Sequence, residues 1–431
     1  MDILVIGNGF DLAHGLPTKY TDFLKWIIKE VLFFNDLKEQ HAMITNEISE
    51  VELNIPESMR RMIIKDQEKL DRIEHQEELW EDINYNWWVE YFLQNVKFQK
   101  ENWIDFEHEI SKVIQFLDML MFKEDGERYE LSEEVPESCK ISWHKKGFSF
   151  FYSKQDTEKS SIEEEMNITF RDVRDRLYND LNRLIRVLEI YLTEYVEQKT
   201  CTVKSPDIDN VCKKFTNNNG QKEAQFAKVI SFNYTKTYER IYLDKVKGKN
   251  IIDYIHGKAN RSNSIKSNNM VLGIDEYLPD DRIGVEVDFI AFKKFYQRIY
   301  KETGCKYKEW VEQIKQEYLK KCEKMKNMFA LSENQNIFSR LGNSALQNEK
   351  CKMHNLYIFG HSLDVTDKDI LKELILNNNV HTIIFYLNKD VMGQQIANLL
   401  KVIGQDELIR RTGERNIEFK QQSDMIKIGG K

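Results

Sequence analysis

Proline is scarce in this chain, five residues in 431, and glycine is modest at 18. Sandwiches of short strands and long extended linkers both use these residues heavily, so the low counts argue against both. Cys139, Cys201, Cys212, Cys305, Cys322 and Cys351 form no C-x-x-C pair, which leaves no zinc ribbon or redox dithiol to expect. They read as free thiols of a reducing compartment. No signal pattern opens the chain, because its first apolar run, Ile3 to Ile6, ends at once in Gly7-Asn8-Gly9. No run is long enough to span a bilayer. The expectation is a soluble, cytoplasmic protein without a membrane partner. A net charge of −8 offers no general attraction for nucleic acid, although a local basic patch is still allowed.

What is present is material for a large core. Hydrophobic residues make up 41% and aromatics 12%, while 31% charged residues suit long helices with a solvated face. The length allows two or three average domains or one elaborated α/β domain.

The opening MDILVIGNGFDLAHGLPTKYTDFLKW reads as a buried parallel strand, a glycine turn and a helix. Gly7 and Gly9 permit a tight turn and a close backbone approach, and N–H groups at a helix start favour an anion such as pyrophosphate. A structural turn that binds nothing is the alternative, since the third glycine of the dinucleotide fingerprint is missing. Helical spacing follows through Phe23, Leu24, Ile27, Ile28 and Leu32, and through Ile63, Leu70 and Ile73. The aromatics between His75 and Phe116 read as helix packing. A small hairpin is expected near Ile141 to Tyr152, one long amphipathic helix over Ile162 to Gln198, and a loop at 217–220.

Strand patterns return at Lys228 to Phe232, Ile251 to Ile255, Met270 to Ile274, Leu356 to Phe359 and Thr382 to Tyr386. Helices are predicted over Lys368 to Leu376 and Val391 to Val402, and an aromatic helical stretch over Phe289 to Phe329. Polar residues stand at the strand ends, where a parallel sheet places its site. Asn233 follows one strand, and its amide suits a ribose or a carbonyl; a turn-stabilising Asn is the alternative. His256 ends another, where an imidazole can act as general base or merely cap. Gly360-His361-Ser362-Leu363-Asp364 superficially resembles a nucleophile elbow with His381 downstream. Its final glycine is replaced by Asp364, however, and a nucleotide-binding loop through Gly360, Ser362 and Asp364 fits better. Glu107-His108-Glu109 is no ligand set on one helix face, so no metal is expected.

The segment ILVIGNGFDLAHGLPTKYTDF resembles the signature of AbiH, a bacterial abortive-infection (anti-phage) family. SFNYTKTYE, YIHGK, VLGIDE and YIFGHSLDVTDKDIL follow in the order that family shows, and the interior adds Trp103 to Glu107. A more distant resemblance is to sirtuin-like domains. It rests on Gly7-x-Gly9, on Gly15-Leu16-Pro17 to Phe23, on Asn233, on His256-Gly257 and on Gly360 to Leu363. It implies an NAD site in which the glycine turn takes the pyrophosphate, Asn233 contacts the nicotinamide ribose and His256 is the base. One departure matters: the Asn-x-Asp of sirtuins is Asn233-Tyr234-Thr235 here. Asp11 or Asp275 is then the replacement carboxylate, or the site takes a different nucleotide. The cysteine quartet of zinc-bearing deacetylases is absent.

These resemblances imply an α/β, Rossmann-like (sirtuin-like) parallel sheet over 1–24 and 226–431, with a large, mainly α-helical insertion over 25–225. The expected activity is an anti-phage effector that hydrolyses NAD, as substrate, to nicotinamide and ADP-ribose. Asn8 and Gly9 would cradle phosphates and Asn233 position the ribose. His256 would orient or deprotonate a ribose hydroxyl or the attacking water, while Gly7, Asp11, Pro17, Thr235, Gly360, Ser362 and Asp364 complete the nucleotide site. Latency would come from the helical insertion or a homo-oligomer, relieved by a phage-derived trigger. Two other classes stay open: a Mg²⁺-dependent nuclease at acidic strand ends, and a non-catalytic sensor of a nucleotide or phage protein.

Overall fold

The first apolar run is a buried strand, Asp2–Ile6, in the computed structural model. That model describes residues 1–28, 76–83, 85–98, 105–123, 125–135, 142–144, 147–149, 169–213, 228–243, 252–278, 282–283, 286–330 and 354–428. The helical spacing at Ile63, Leu70 and Ile73, the 217–220 loop, Trp103, Cys139 and Cys351 lie outside the described residues. The chain forms two compact units. One comprises Met1–Leu16, Lys199–Lys258 and Arg298–Lys431, the other Pro17–Gln198 and Ala259–Gln297.

The first unit is built on a six-stranded sheet. Its strands are β1 (Asp2–Ile6), β2 (Lys228–Ser231), β3 (Ile252–Tyr254), β4 (His354–Phe359), β5 (Val380–Tyr386) and β6 (Ile417–Gln421). The order is β3-β2-β1-β4-β5-β6 and every pair is parallel, so the α/β, Rossmann-like expectation holds. Val5 lies opposite Ile230 on one side and Ile358 on the other. Side chains of β1 alternate between two cores: Ile3 and Val5 join Ile230, Ile358 and Ile384, whereas Leu4 and Ile6 join Val229, Phe359 and Phe385. Burial on both faces makes these strands continuous apolar runs in the sequence. β6 lacks that signature, for it keeps Ile417 buried but exposes Glu418, Lys420 and Gln421, as an edge strand does. Helices Asn8–Ala13, Thr237–Tyr242 and Lys368–Ile375 follow β1, β2 and β4, and helices Lys389–Ile403 and Gln405–Gly413 separate β5 from β6.

The segment Met270 to Ile274 is not a further strand of this sheet. It is buried in the second unit, with a single bridge from Ile274 to Lys293. The Gln297 side chain replaces a ladder: its Oε1 accepts from Leu272 N at 3.1 Å and its Nε2 donates to Leu272 O at 3.1 Å. The expected aromatic helical stretch is also broken, into helices Lys294–Tyr300 and Tyr307–Ala330 around Gly304, whose φ is +67°.

The rest of the second unit is mainly helical. In its aromatic core Phe92 stacks on Phe106 at 3.9 Å between centroids and Tyr20 stacks on Phe106 at 4.2 Å. The aromatics therefore pack helices, as their spacing suggests. Helix Phe170–Ile190 starts at a capping box, where Thr169 Oγ1 accepts from Asp172 N and Asp172 Oδ2 accepts from Thr169 N. It runs into a π-helical turn, Tyr191–Val196. Ser142–His144 and Gly147–Ser149 pair as the expected small hairpin. No helix among the described residues is long and apolar enough to cross a membrane.

Candidate functional site

The carboxyl ends of β1, β2, β3 and β4 carry the residues singled out in the sequence. At β1 the glycines are explained by the neighbouring loop. Gly7 N donates to Phe359 O at 3.2 Å and Gly9 N donates to Gly360 O at 2.7 Å. A Cβ on Gly7 would lie 2.8 Å from Gly360 O, and one on Gly9 2.8 Å from Gly360 Cα. Gly360, at φ +68°, would place a Cβ 2.1 Å from Phe10 N. The close backbone approach that the glycines permit is thus made to a neighbouring protein loop. Phe10 N is also engaged, by Gly7 O at 2.8 Å, while Asn8 is exposed.

Asn233 is tied to this turn. Its Nδ2 donates to Gly7 O at 3.0 Å, and its own peptide is braced by the Ser231 hydroxyl, which accepts from Asn233 N and donates to Asn233 O. Two residues on, the Thr235 hydroxyl donates to Asp11 Oδ2 at 2.6 Å and lies 3.0 Å from the Thr237 hydroxyl. Asp11 is 1% exposed. A carboxylate therefore meets the Asn233-Tyr234-Thr235 loop, supplied by the helix after β1 rather than by the loop itself. Asp275, the other candidate, belongs to the second unit.

His256 ends β3 ahead of Gly257, whose φ of +78° serves a turn closed by Gly257 N to Tyr254 O. Its Nε2 stands 3.2 Å from Asp367 Oδ1. His361 Nε2 stands 3.5 Å from the other oxygen of the same carboxylate. His361 Nδ1 accepts from Leu363 N at 2.9 Å, which assigns the proton to Nε2, facing Asp367. Phe232 sets its ring edge-on to both imidazoles, at 5.4 Å from His256 and 4.3 Å from His361. All four are buried. His361 and Asp367 were not among the site residues expected from sequence, although both lie in the segment that carries Gly360. The usable signal was the run of polar residues spaced through GHSLDVTD.

Other expected residues have local partners. Asp364 Oδ1 accepts from Thr366 N at 3.0 Å and opens the turn Val365–Asp367. Ser362 is exposed, and its carbonyl accepts from Asn398 Nδ2. A Ser–His pair with His381 is not formed: His381 sits at the start of β5, opposite Asn355, whereas Ser362 lies beyond the end of parallel β4. Pro17 is in the second unit, where its carbonyl accepts from the Tyr191 hydroxyl at 2.6 Å. Glu107 pairs with Lys294 and Glu109 accepts from the Tyr91 hydroxyl, so that acidic pair is spent structurally. Among the described residues no group of three or more His, Cys, Asp or Glu converges as a metal site.

Residues 3–387 match the family model described as bacteriophage abortive infection AbiH. Comparison with curated proteins gives no match, and neither does comparison with solved structures.

Proposed function

The chain belongs to the bacteriophage abortive-infection family AbiH, and on that premise we propose that its first unit binds a nucleotide, NAD, and hydrolyses it to nicotinamide and ADP-ribose. The observation that carries this reading is the strand order β3-β2-β1-β4-β5-β6 with Asn233, Asp11 and His256 gathered at its carboxyl edge. In an open parallel sheet of this order, ligands sit where the order reverses, beside β1. The fold alone leaves the chemistry open, so the assignment rests on the side chains.

In this reading Asn8 and the loop Gly360 to Asp364 line the phosphate side and Asn233 positions the ribose. Asp11, held on Thr235, fills the role of the missing loop carboxylate. His256 takes a proton from the attacking water as its oxygen bonds to C1′. The C1′–N bond breaks, its electron pair goes to the pyridinium nitrogen, and nicotinamide leaves neutral. Such a leaving group needs mainly positioning and stabilisation of ribosyl charge. Loss of a central cofactor then arrests the infected cell.

The test is a product assay. Wild type, His256→Ala and Asn233→Ala are incubated with NAD, with and without lysate of phage-infected cells, and resolved by chromatography. Nicotinamide and ADP-ribose from wild type alone are expected. Intact NAD under both conditions, with defence active in cells, would sink the mechanism. One observation favours a second reading, that of a non-catalytic sensor: Gly9 N is committed to Gly360 O rather than left for a phosphate. Defence that survives His256→Ala but not Gly9→Ala, with Gly9→Ala still folded by its melting curve, would select it.

A further inference from the structure

Asp367 occupies the N-cap position of helix Lys368–Ile375, where an aspartate ordinarily accepts from the helix backbone. Its side chain makes no cap hydrogen bond here. The carboxylate instead faces two imidazoles, with Oδ1 3.2 Å from His256 Nε2 and Oδ2 3.5 Å from His361 Nε2. The arrangement is held from behind. His361 cannot turn without breaking the bond from Leu363 N, and Leu363 is a non-glycine residue at φ +61°. Gln395 Nε2 fixes the His361 carbonyl at 3.1 Å. A left-handed leucine beside a forgone cap marks a segment whose local preferences yield to a side-chain constellation.

We propose that Asp367 and His361 are positioning residues for His256, on the reading above in which His256 is the base. The Asp367 carboxylate stands in ion-pair range of Nε2, outside hydrogen-bond geometry. Its charge favours the proton on that nitrogen, which makes Nδ1 the basic one, and stabilises the imidazolium that forms when Nδ1 takes the water's proton. Asp367 stays ionised throughout. His361 Nε2–H faces the second oxygen from 3.5 Å, and its dipole moderates the basicity of the carboxylate. Groups facing His256 include Asp367 from the loop after β4, with His361 behind it, Tyr234 from the loop after β2, whose ring is 6.2 Å away, and the Phe232 ring, edge-on at 5.4 Å.

The experiment is ¹⁵N-histidine NMR of the full chain, which contains nine histidines, with His256 assigned by its loss in His256→Gln. Wild type should show His256 as the Nε2–H tautomer. Asp367→Asn should lower its titration midpoint by about one pH unit and mix the tautomers. His361→Gln should move the midpoint the opposite way by a few tenths of a unit, because Asp367 loses the N–H dipole that faces it. If Asp367→Asn fails to fold, the sign of the His361→Gln shift decides. An unchanged His256 tautomer and midpoint in a folded variant overturns the proposal. This readout needs no substrate, so intact NAD in the product assay sinks the hydrolase without touching the couple. Where NAD is cleaved, Asp367→Asn should cut kcat by roughly 10²-fold or more with KM nearly unchanged.

Discussion

A buried imidazole with both nitrogens engaged resists a second proton. His14 Nδ1 donates to Phe10 O at 2.7 Å, and its Nε2 accepts from the Tyr242 hydroxyl, which itself accepts from Ser205 N. Burial pulls the His14 pKa below its ordinary value, against the opposing effect of the Phe10 bond. The native state therefore favours neutral His14, while the unfolded chain protonates near pH 6.5. Stability is full above that pH and is lost as pH falls through the lower folded value. Thermal melts should show the advantage of wild type over His14→Gln shrinking between pH 7.5 and 5. Asp82 has the opposite sign. Burial raises its carboxyl to about 6, with Arg183, 3.5 Å away, opposing. The native state binds the proton more tightly, so stability falls as pH rises from about 4 to 6. Asp82→Asn should therefore raise stability at pH 7 by about 1 kcal/mol, after discounting for solvent screening, and the gain should vanish near pH 4.

Elements in this protein are joined by contacts that tolerate no spare atom in some places and have room in others. Gly9 and Gly393 make the contrast measurable. Alanine at 9 puts a methyl 2.8 Å from Gly360 Cα and O, both backbone, and should cost about 2–3 kcal/mol. Alanine at 393, inside helix Lys389–Ile403 with nothing within 4 Å, should gain about 0.5–1 kcal/mol. Melting temperatures moving in the same direction for both would remove the close-approach explanation of Gly9. In the second unit a single carboxylate secures a whole loop. Glu189, fully buried, accepts from Arg186, Asn260 N, Asn263 and Asn268. Glu189→Ala strips buried Arg186 of one partner and frees the loop, at a cost of roughly 3–5 kcal/mol. Amide exchange should rise first at 260–268, and a uniform rise across the unit would refute the local latch.

Over the whole molecule, burial was legible and pairing was not. β1, β2, β4 and β5 announce themselves because both faces are covered. Met270 to Ile274 has the same apolar signature for the same reason, yet Gln297 rather than a neighbouring strand satisfies it. β6 escaped because Ile-Glu-Phe-Lys-Gln is an edge pattern. At the candidate site, Asn233 and His256 could be read as polar ends of apolar runs. The bond from Thr235 to Asp11 could not, since it joins residues 224 apart, and neither could the meeting of His256 with Asp367. Sequence order thus identifies strand ends, while topology decides which ends meet. That same topology localises the consequence of ligand binding. NAD at 100 times its Kd should stabilise the unit that binds it by about 2.7 kcal/mol, a hundredfold in amide exchange governed by its unfolding. Protection is expected at 5–13, 231–237, 254–257 and 359–367, with Phe170–Ile190 unaffected. Protection confined to Phe170–Ile190 and its neighbours would move the nucleotide to the second unit. Unchanged exchange throughout at saturating NAD would remove this nucleotide from the first unit's strand ends and leave their polar cluster to another ligand.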